Sequence, residues 1–162
     1  MEDKPQPSVR PAEPEDSVAL SALFGELGFP CSPQEAAARL SAAGDAALVA
    51  VLGGCVVGVV TTNVMPVLHR PAPVGRVSAL VVAKASRGRG FGRLLVTAAE
   101  AFLASRGCGL VEVTSNFRLE QAHAFYRSIG YEATSYRFKK DLGAAPNNSF
   151  KPNLLRSSES VA

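Results

Sequence analysis

Apolar residues recur along this chain with two periods, and each change of period marks an element. Ser8-Val-Arg-Pro-Ala is short and half apolar, and it reads as a first strand after a proline-containing arm over residues 1–7. Pro14-Glu-Asp opens a helix, with its acids at the positive end of the helix dipole. Val18, Leu20, Leu23, Phe24 and Leu27 supply the apolar face of that helix, and Gly28 and Pro30 end it. Ser32-Pro33-Gln34-Glu35 predicts a second helix start: serine caps, proline takes the first turn, and the glutamate stands three after the cap. That helix runs to Ala43, and Gly44 stops it. Two valine-rich runs, 46–52 and 55–64, flank Gly53-Gly54 and predict a hairpin. Pro66 to Gly75 holds three prolines and reads as a loop.

The second half alternates strand and helix. Arg76 to Ala83 is valine-rich and predicts a strand. A glycine-rich turn leads into a helix over Arg93–Arg106, with Leu94, Leu95, Ala98, Phe102 and Leu103 at helical spacing. Gly107 and Gly109 break it, and Leu110–Ser115 reads as a strand. Leu119, Ala122, Phe125, Tyr126 and Ile129 mark another helix capped by Gly130, and Tyr136–Leu142 reads as a final strand. The order β-α-α-β-β-β-α-β-α-β predicts a mixed α/β sheet flanked by helices, one domain over 8–142. Residues 143–162 are rich in Pro, Asn and Ser and read as a disordered polar tail.

Composition narrows the class. The chain has 162 residues, 47% apolar and 19% charged, which suits one globular domain with a sizeable core. Ala46 to Met65 carries no charge and is long enough to span a bilayer, but the Gly-Gly turn inside it favours two strands over one membrane helix. The N-terminus has neither the basic start nor the apolar stretch of a signal peptide, so a cytoplasmic protein is expected. Cys31, Cys55 and Cys108 form no C-x-x-C pair, and His69 and His123 are the two histidines. Neither a metal site nor a disulfide framework is expected from them. A net charge of +3 is too small to argue for nucleic acid. Lys84, Arg87, Arg89 and Arg93 are clustered, but their interleaved glycines and the few nearby aromatics favour phosphate cradling over strand binding.

The informative stretch is Ala79-Leu-Val-Val-Ala-Lys-Ala-Ser-Arg-Gly-Arg-Gly-Phe-Gly-Arg-Leu-Leu. Gly88, Gly90 and Gly92 lie between a strand and a helix, where consecutive backbone N–H groups and the helix dipole attract an anion. Arg87, Arg89 and Arg93 add full charges. The alternative is a basic surface turn. A P-loop and a G-x-G-x-x-G dinucleotide fingerprint are both absent. The spacing Arg87-x-x-Gly90-x-Gly92 resembles the acetyl-CoA pyrophosphate loop of the GNAT family of N-acetyltransferases, R/Q-x-x-G-x-G/A. The resemblance covers residues 8–142 and is most specific over 76–142. It implies a mostly antiparallel GNAT-like sheet and acetyl-CoA as co-substrate. It also implies pantetheine bonding by the backbone of Leu80, Val81 and Val82, and a diphosphate held by Arg87, Gly88, Arg89, Gly90, Phe91, Gly92 and Arg93.

His123-Ala-Phe-Tyr126-Arg-Ser-Ile-Gly130-Tyr131 carries a second point of resemblance. Many family members end this helix with a tyrosine followed by glycine and an aromatic, and the resemblance makes Tyr126 the general acid for the leaving CoA thiolate. A phenol is chemically suited to that task; a core-edge tyrosine is the structural alternative. Asn116 is implied near pantetheine or substrate, and equally suits a turn. Many members carry an acid just before the Leu-Val-Val strand, where this chain has Ser78-Ala79. Glu112, on the adjacent predicted strand, is the nearest carboxylate for a base. If Val111 and Val113 face the core, Glu112 and Thr114 face away, and Glu112 is equally a solvent-facing residue. His69 is a weaker option, and a water chain or an amine of low pKa needs no side-chain base.

The C-terminal run from Glu112 to Leu142 is similar to aminoalkylphosphonate N-acetyltransferases and to uncharacterised relatives. That implies a small primary amine as acceptor, an anionic one if Arg70, Arg76 or Arg137 help to bind it. An aminoglycoside, a protein N-terminus and an acyl-CoA sensor without transferase activity are the other readings. A homodimer is suggested by the family alone.

Overall fold

The computed structural model describes residues 5–43 and 46–143. The chain falls into two units, one ending at Glu132 and the other beginning at Ala133. In the first, β1 (Ser8–Pro11), α1 (Ser17–Leu27), α2 (Pro33–Ala43), β2 (Ala47–Leu52), β3 (Cys55–Met65), β4 (Val74–Val82), α3 (Phe91–Ser105), β5 (Leu110–Val113) and α4 (Glu120–Ser128) follow in order. The five strands form one sheet in sequence order. β1 to β4 pair antiparallel, and β4 and β5 pair parallel.

Local signals formed what they predicted at several points. The Ser32 N–H donates to Glu35 Oε2 at 2.7 Å, and the Glu35 N–H donates back to Ser32 Oγ at 3.2 Å, closing the capping box. Gly53 and Gly54 both take left-handed φ, 56° and 79°, as a two-residue hairpin turn requires. Leu20, Leu23, Ala36 and Leu40 of the first two helices cover one sheet face, packing on Ala47, Val49, Val59 and Val81. Phe91, Leu95 and Ala99 of α3 cover the other, on Leu48, Ala50, Val60 and Val77. Burial on both faces explains the charge-free run through β2 and β3, since neither face can be polar. No helix among the described residues is long and apolar enough to cross a membrane.

The start of the fold is tied by charge. Arg10 bonds both oxygens of Asp16, at 2.7 and 2.8 Å, and the Glu13 N–H donates to the same carboxylate at 2.8 Å. Asp16 is only 6% exposed, and the Arg10 bond holds its carboxyl below the usual carboxylate range against the opposing effect of burial.

The structure differs from the sequence expectation in several places, and α3 already starts at Phe91, two residues before Arg93. β4 begins at Val74, two residues earlier, because Val74 and Gly75 pair with Met65 and Val64. β5 stops at Val113, short of Ser115, where its pairing with β4 ends. The strand expected over Tyr136–Leu142 does not form: residues 133–143, the described part of the second unit, have no regular secondary structure. Alternating side chains specify faces, but a strand also needs a neighbour for its backbone groups, and the pattern does not supply one. The expected stop at Gly44 and the 143–162 tail, apart from Gly143, lie outside the described residues.

Candidate active site

The site is prepared by a break in the sheet. Thr61 pairs with Ala79 and Thr62 with Val77, so Ser78 is an extra residue in β4, a bulge. The parallel pairing with β5 ends at Val77 and Val113, immediately before that bulge. Beyond it, Ala79–Val82 pairs with β3 alone. The Ala83 N–H bonds Val57 O at 2.9 Å, so by alternation Ala79 and Val81 turn their polar backbone groups to β3. Leu80 and Val82 therefore turn theirs to the side that β5 has left. Leu80 and the Val82 N–H offer a hydrogen-bonding edge to an extended ligand arm, while Arg87 Nε takes the Val82 carbonyl. Val81, 5% exposed, belongs to the core instead.

The chain then makes a short 3-10 turn, Lys84–Ser86, and enters the glycine loop. Gly88 and Gly90 have φ of 72° and 86°, a left-handed backbone that side chains disfavour, and a Cβ on either would meet nothing within 4 Å. The space over the loop is open. Gly90 occupies the N-cap of α3 and provides no side-chain cap. The first bond into the helix is from the Leu94 N–H to Gly90 O, at 3.0 Å. The N–H groups of Phe91, Gly92 and Arg93 thus have no intrahelical acceptor and face the open loop end with the dipole behind them. That arrangement suits a diphosphate.

The arginines around the loop have protein partners. Arg87 donates from Nε to Val82 O at 2.9 Å and forms an ion pair with Glu26 at 3.4 Å. Arg89 stacks over the Phe91 ring at 5.6 Å, and Phe91 itself is a core residue, 4% exposed. Arg93 donates to Ser128 O at 3.3 Å. The arginine side chains thus engage protein groups, while the backbone N–H groups at the start of α3 are left without an intrahelical acceptor. Glu26 also accepts the Lys84 N–H at 3.0 Å and so pins both ends of the turn. Sequence reasoning missed it, although an acid in the last turn of α1, where the dipole opposes it, was the available signal.

Tyr126 lies near the C-terminal end of α4. Its ring meets Phe125 edge-on at 5.2 Å and Tyr131 at 5.6 Å. It is half-buried, and burial pushes its phenol above the usual value of 10.0, which keeps the proton in place. Among the described residues, none hydrogen-bonds its hydroxyl. Asn116 shapes the turn before α4: its Oδ1 accepts the Arg118 N–H at 3.0 Å, and its carbonyl accepts the Leu119 N–H at 2.9 Å. His123 closes the same turn through Nε2, 3.0 Å from Asn116 O.

Val111 and Val113 do face the α3 core. Glu112 stands opposite Arg76 in the parallel register, and Glu112 Oε1 accepts from Arg76 Nε at 2.8 Å. A second Arg76 nitrogen bonds the same oxygen. At the bulge, where a carboxylate is absent, the Ser78 and Thr61 hydroxyls are bonded at 2.9 Å. Among the described residues no group of His, Cys, Asp and Glu side chains is arranged to hold a metal ion.

The chain is 30% identical over 139 residues to an aminoalkylphosphonate N-acetyltransferase of Salmonella typhimurium, an alignment spanning 83% of this chain and 90% of the relative. An acetyltransferase of Trypanosoma brucei is 26% identical, with a TM-score of 0.71 over 85% of this chain and all of that one (100%). An aminoglycoside N-acetyltransferase in complex with CoA shares the fold, with a TM-score of 0.77 at 14% identity over 87% of this chain and 97% of that one. Residues 16–131 match the acetyltransferase (GNAT) family. That span holds β2 to β5, the glycine loop and the tyrosine helix, and the chain belongs to the acetyltransferase (GNAT) family as an acetyl-CoA-dependent N-acetyltransferase.

Proposed function

We propose that this enzyme acetylates the primary amine of a small molecule by direct attack, with Tyr126 as general acid. The observation that carries the acid assignment is a half-buried phenol whose proton is held by burial and whose hydroxyl has no bond to another described residue. The amine nitrogen attacks the thioester carbonyl, the carbon–sulfur bond breaks, and the sulfur takes the phenol proton. The phenol is then reprotonated from solvent. The backbone N–H groups of Phe91, Gly92 and Arg93 hold the diphosphate, and the free edge of Leu80 and Val82 aligns the pantetheine arm. Asn116 supports the turn beside that arm.

The nitrogen's surplus proton leaves either to Glu112 or to water near the Ser78 bulge. Glu112→Gln separates the two: a working base loses about 100-fold in kcat, whereas an ion-pair partner of Arg76 loses little. The named activity of the Salmonella relative supports an aminophosphonate-like acceptor for this chain. The mild positive charge argues in the same direction, against a polycationic acceptor. The unpaired Cys31, Cys55 and Cys108 suit the reducing cytoplasm, and a homodimer belongs to the same reading, to be checked by sedimentation.

The test is thermal-shift titration with acetyl-CoA, followed by thiol release across aminophosphonates, other small amines, aminoglycosides and peptides. Stabilisation with release confined to aminophosphonates or other small amines is the expected result. Stabilisation with no release from any acceptor supports the acyl-CoA sensor instead, and release with peptides alone supports a protein N-acetyltransferase. Tyr126→Phe is expected to lower kcat about 100-fold with CoA affinity nearly unchanged. Turnover equal to the parent enzyme removes Tyr126 from the chemistry.

A further inference from the structure

α4 carries Tyr126 but is short, and none of its nine residues is fully buried. Core packing therefore does little to fix the phenol, and a few specific contacts must do so. Three of them lead to Tyr131, just beyond the helix. The Tyr131 N–H bonds Tyr126 O at 3.0 Å, and the Tyr131 ring lies edge-on to the Tyr126 ring. The Tyr131 hydroxyl donates to Glu100 Oε1 at 2.9 Å. Glu100 belongs to α3, the helix whose N-terminus forms the glycine-loop cradle. Two more contacts join the same helices near that cradle: Arg93 donates to Ser128 O, and Phe125 lies 3.4 Å from where a Cβ on Gly92 would stand.

We infer that Tyr131, anchored by Glu100, is a positioning residue that fixes the Tyr126 phenol to the helix carrying the cofactor-binding N-terminus. The inference rests on Tyr126 being the acid. Its physical content is registration: acid and diphosphate cradle move as one body, so the phenol stays in line with the thioester sulfur. Tyr131 does not itself deliver the proton. Its hydroxyl hydrogen is already given to Glu100 Oε1.

The experiment compares Tyr131→Phe, Glu100→Ala and Glu100→Gln in the full chain, each with and without Tyr126→Phe. Tyr131→Phe keeps the ring and loses only the hydroxyl bond, so a fall in kcat of about threefold to tenfold is expected, with CoA affinity by calorimetry within about twofold. Glu100→Ala falls alike. Glu100→Gln still presents an acceptor oxygen and returns kcat to near the parent value. In the Tyr126→Phe background, Tyr131→Phe adds nothing, because there is no acid left to position. Equal losses in both backgrounds, or loss of CoA affinity in step with kcat, overturn the positioning role and leave the acid standing. If Tyr126→Phe alone keeps full turnover, the acid reading fails first and the positioning role with it. Ring-labelled tyrosine spectra offer a second readout, in which Tyr131→Phe broadens or shifts the Tyr126 ring signals; unchanged signals count against the inference.

Discussion

The glycine loop yields the sharpest prediction, because backbone strain and electrostatics are separable at Gly90. Its φ is 86°, and a Cβ there would meet nothing within 4 Å. Any side chain at this position costs about 1–2 kcal/mol of left-handed strain without a clash. Ala, Gln and Glu should share that cost, lowering Tm together by about 3–8 °C. The charge acts only on binding. A carboxylate about 4 Å from one diphosphate charge is repelled by roughly 4 kcal/mol at an effective dielectric of 20, or about 1,000-fold in Kd. Exposure and salt reduce this, so at least about 100-fold is expected between Gly90→Glu and its uncharged match Gly90→Gln. Calorimetric titration with CoA at low and high salt reads the difference, which should shrink as salt rises. Equal affinities for the two variants refute the diphosphate assignment. Equal losses in all three, Ala included, show that loop conformation decides binding.

Other consequences follow from the same structure. Asp16 is held below its ordinary value of 3.8, so its contribution to stability is present above that pH and is lost as pH falls through the lower, folded value. Asp16→Asn is therefore expected to cost about 1.5–3 kcal/mol at neutral pH by chemical denaturation, with the gap from the parent narrowing toward pH 2; a constant gap contradicts this. Burial raises the Tyr126 phenol above 10.0, so loss of its proton should not depress kcat until the pH exceeds that value. A falling limb at lower pH that Tyr126→Phe removes would count against it. Arg87→Ala removes the bonds to Glu26 and the Val82 carbonyl, leaving only the Lys84 N–H on Glu26, and should loosen the turn, weakening CoA binding about threefold to tenfold. Unchanged calorimetric affinity would mean that the turn holds without it.

α3 joins the sheet, the glycine loop and the tyrosine helix. Its N-terminus faces the loop, its buried face locks onto the sheet through Leu95 and Ala99, and its Glu100 reaches Tyr131. The bulge at Ser78 comes where β5 separates from β4, leaving the Leu80 and Val82 backbone groups unpaired by any strand among the described residues.

Short-range physics is what could be read from adjacent residues. The Ser32–Glu35 capping box, the Gly53-Gly54 turn and the glycine-rich entry to α3 are local events, and each was legible from a few adjacent residues. The apolar periods likewise showed many positions that face the core, such as Leu20, Leu23 and Leu95, but Val18 and Leu119 of the same patterns are exposed; the glycine spacing together with the tyrosine carried the family resemblance. How distant groups combine emerged only on folding. Nothing near Arg76 in the sequence announces Glu112, nor near Tyr131 announces Glu100, because these pairs depend on strand register and helix packing over tens of residues. The same holds for Arg87 and Arg93 of the loop, which turned to Glu26 and Ser128. It holds also for Tyr136–Leu142, whose alternation was correct for a strand but which forms none. Side-chain pattern assigns a face, but partners for charges and backbone groups are settled only when the chain has folded around them.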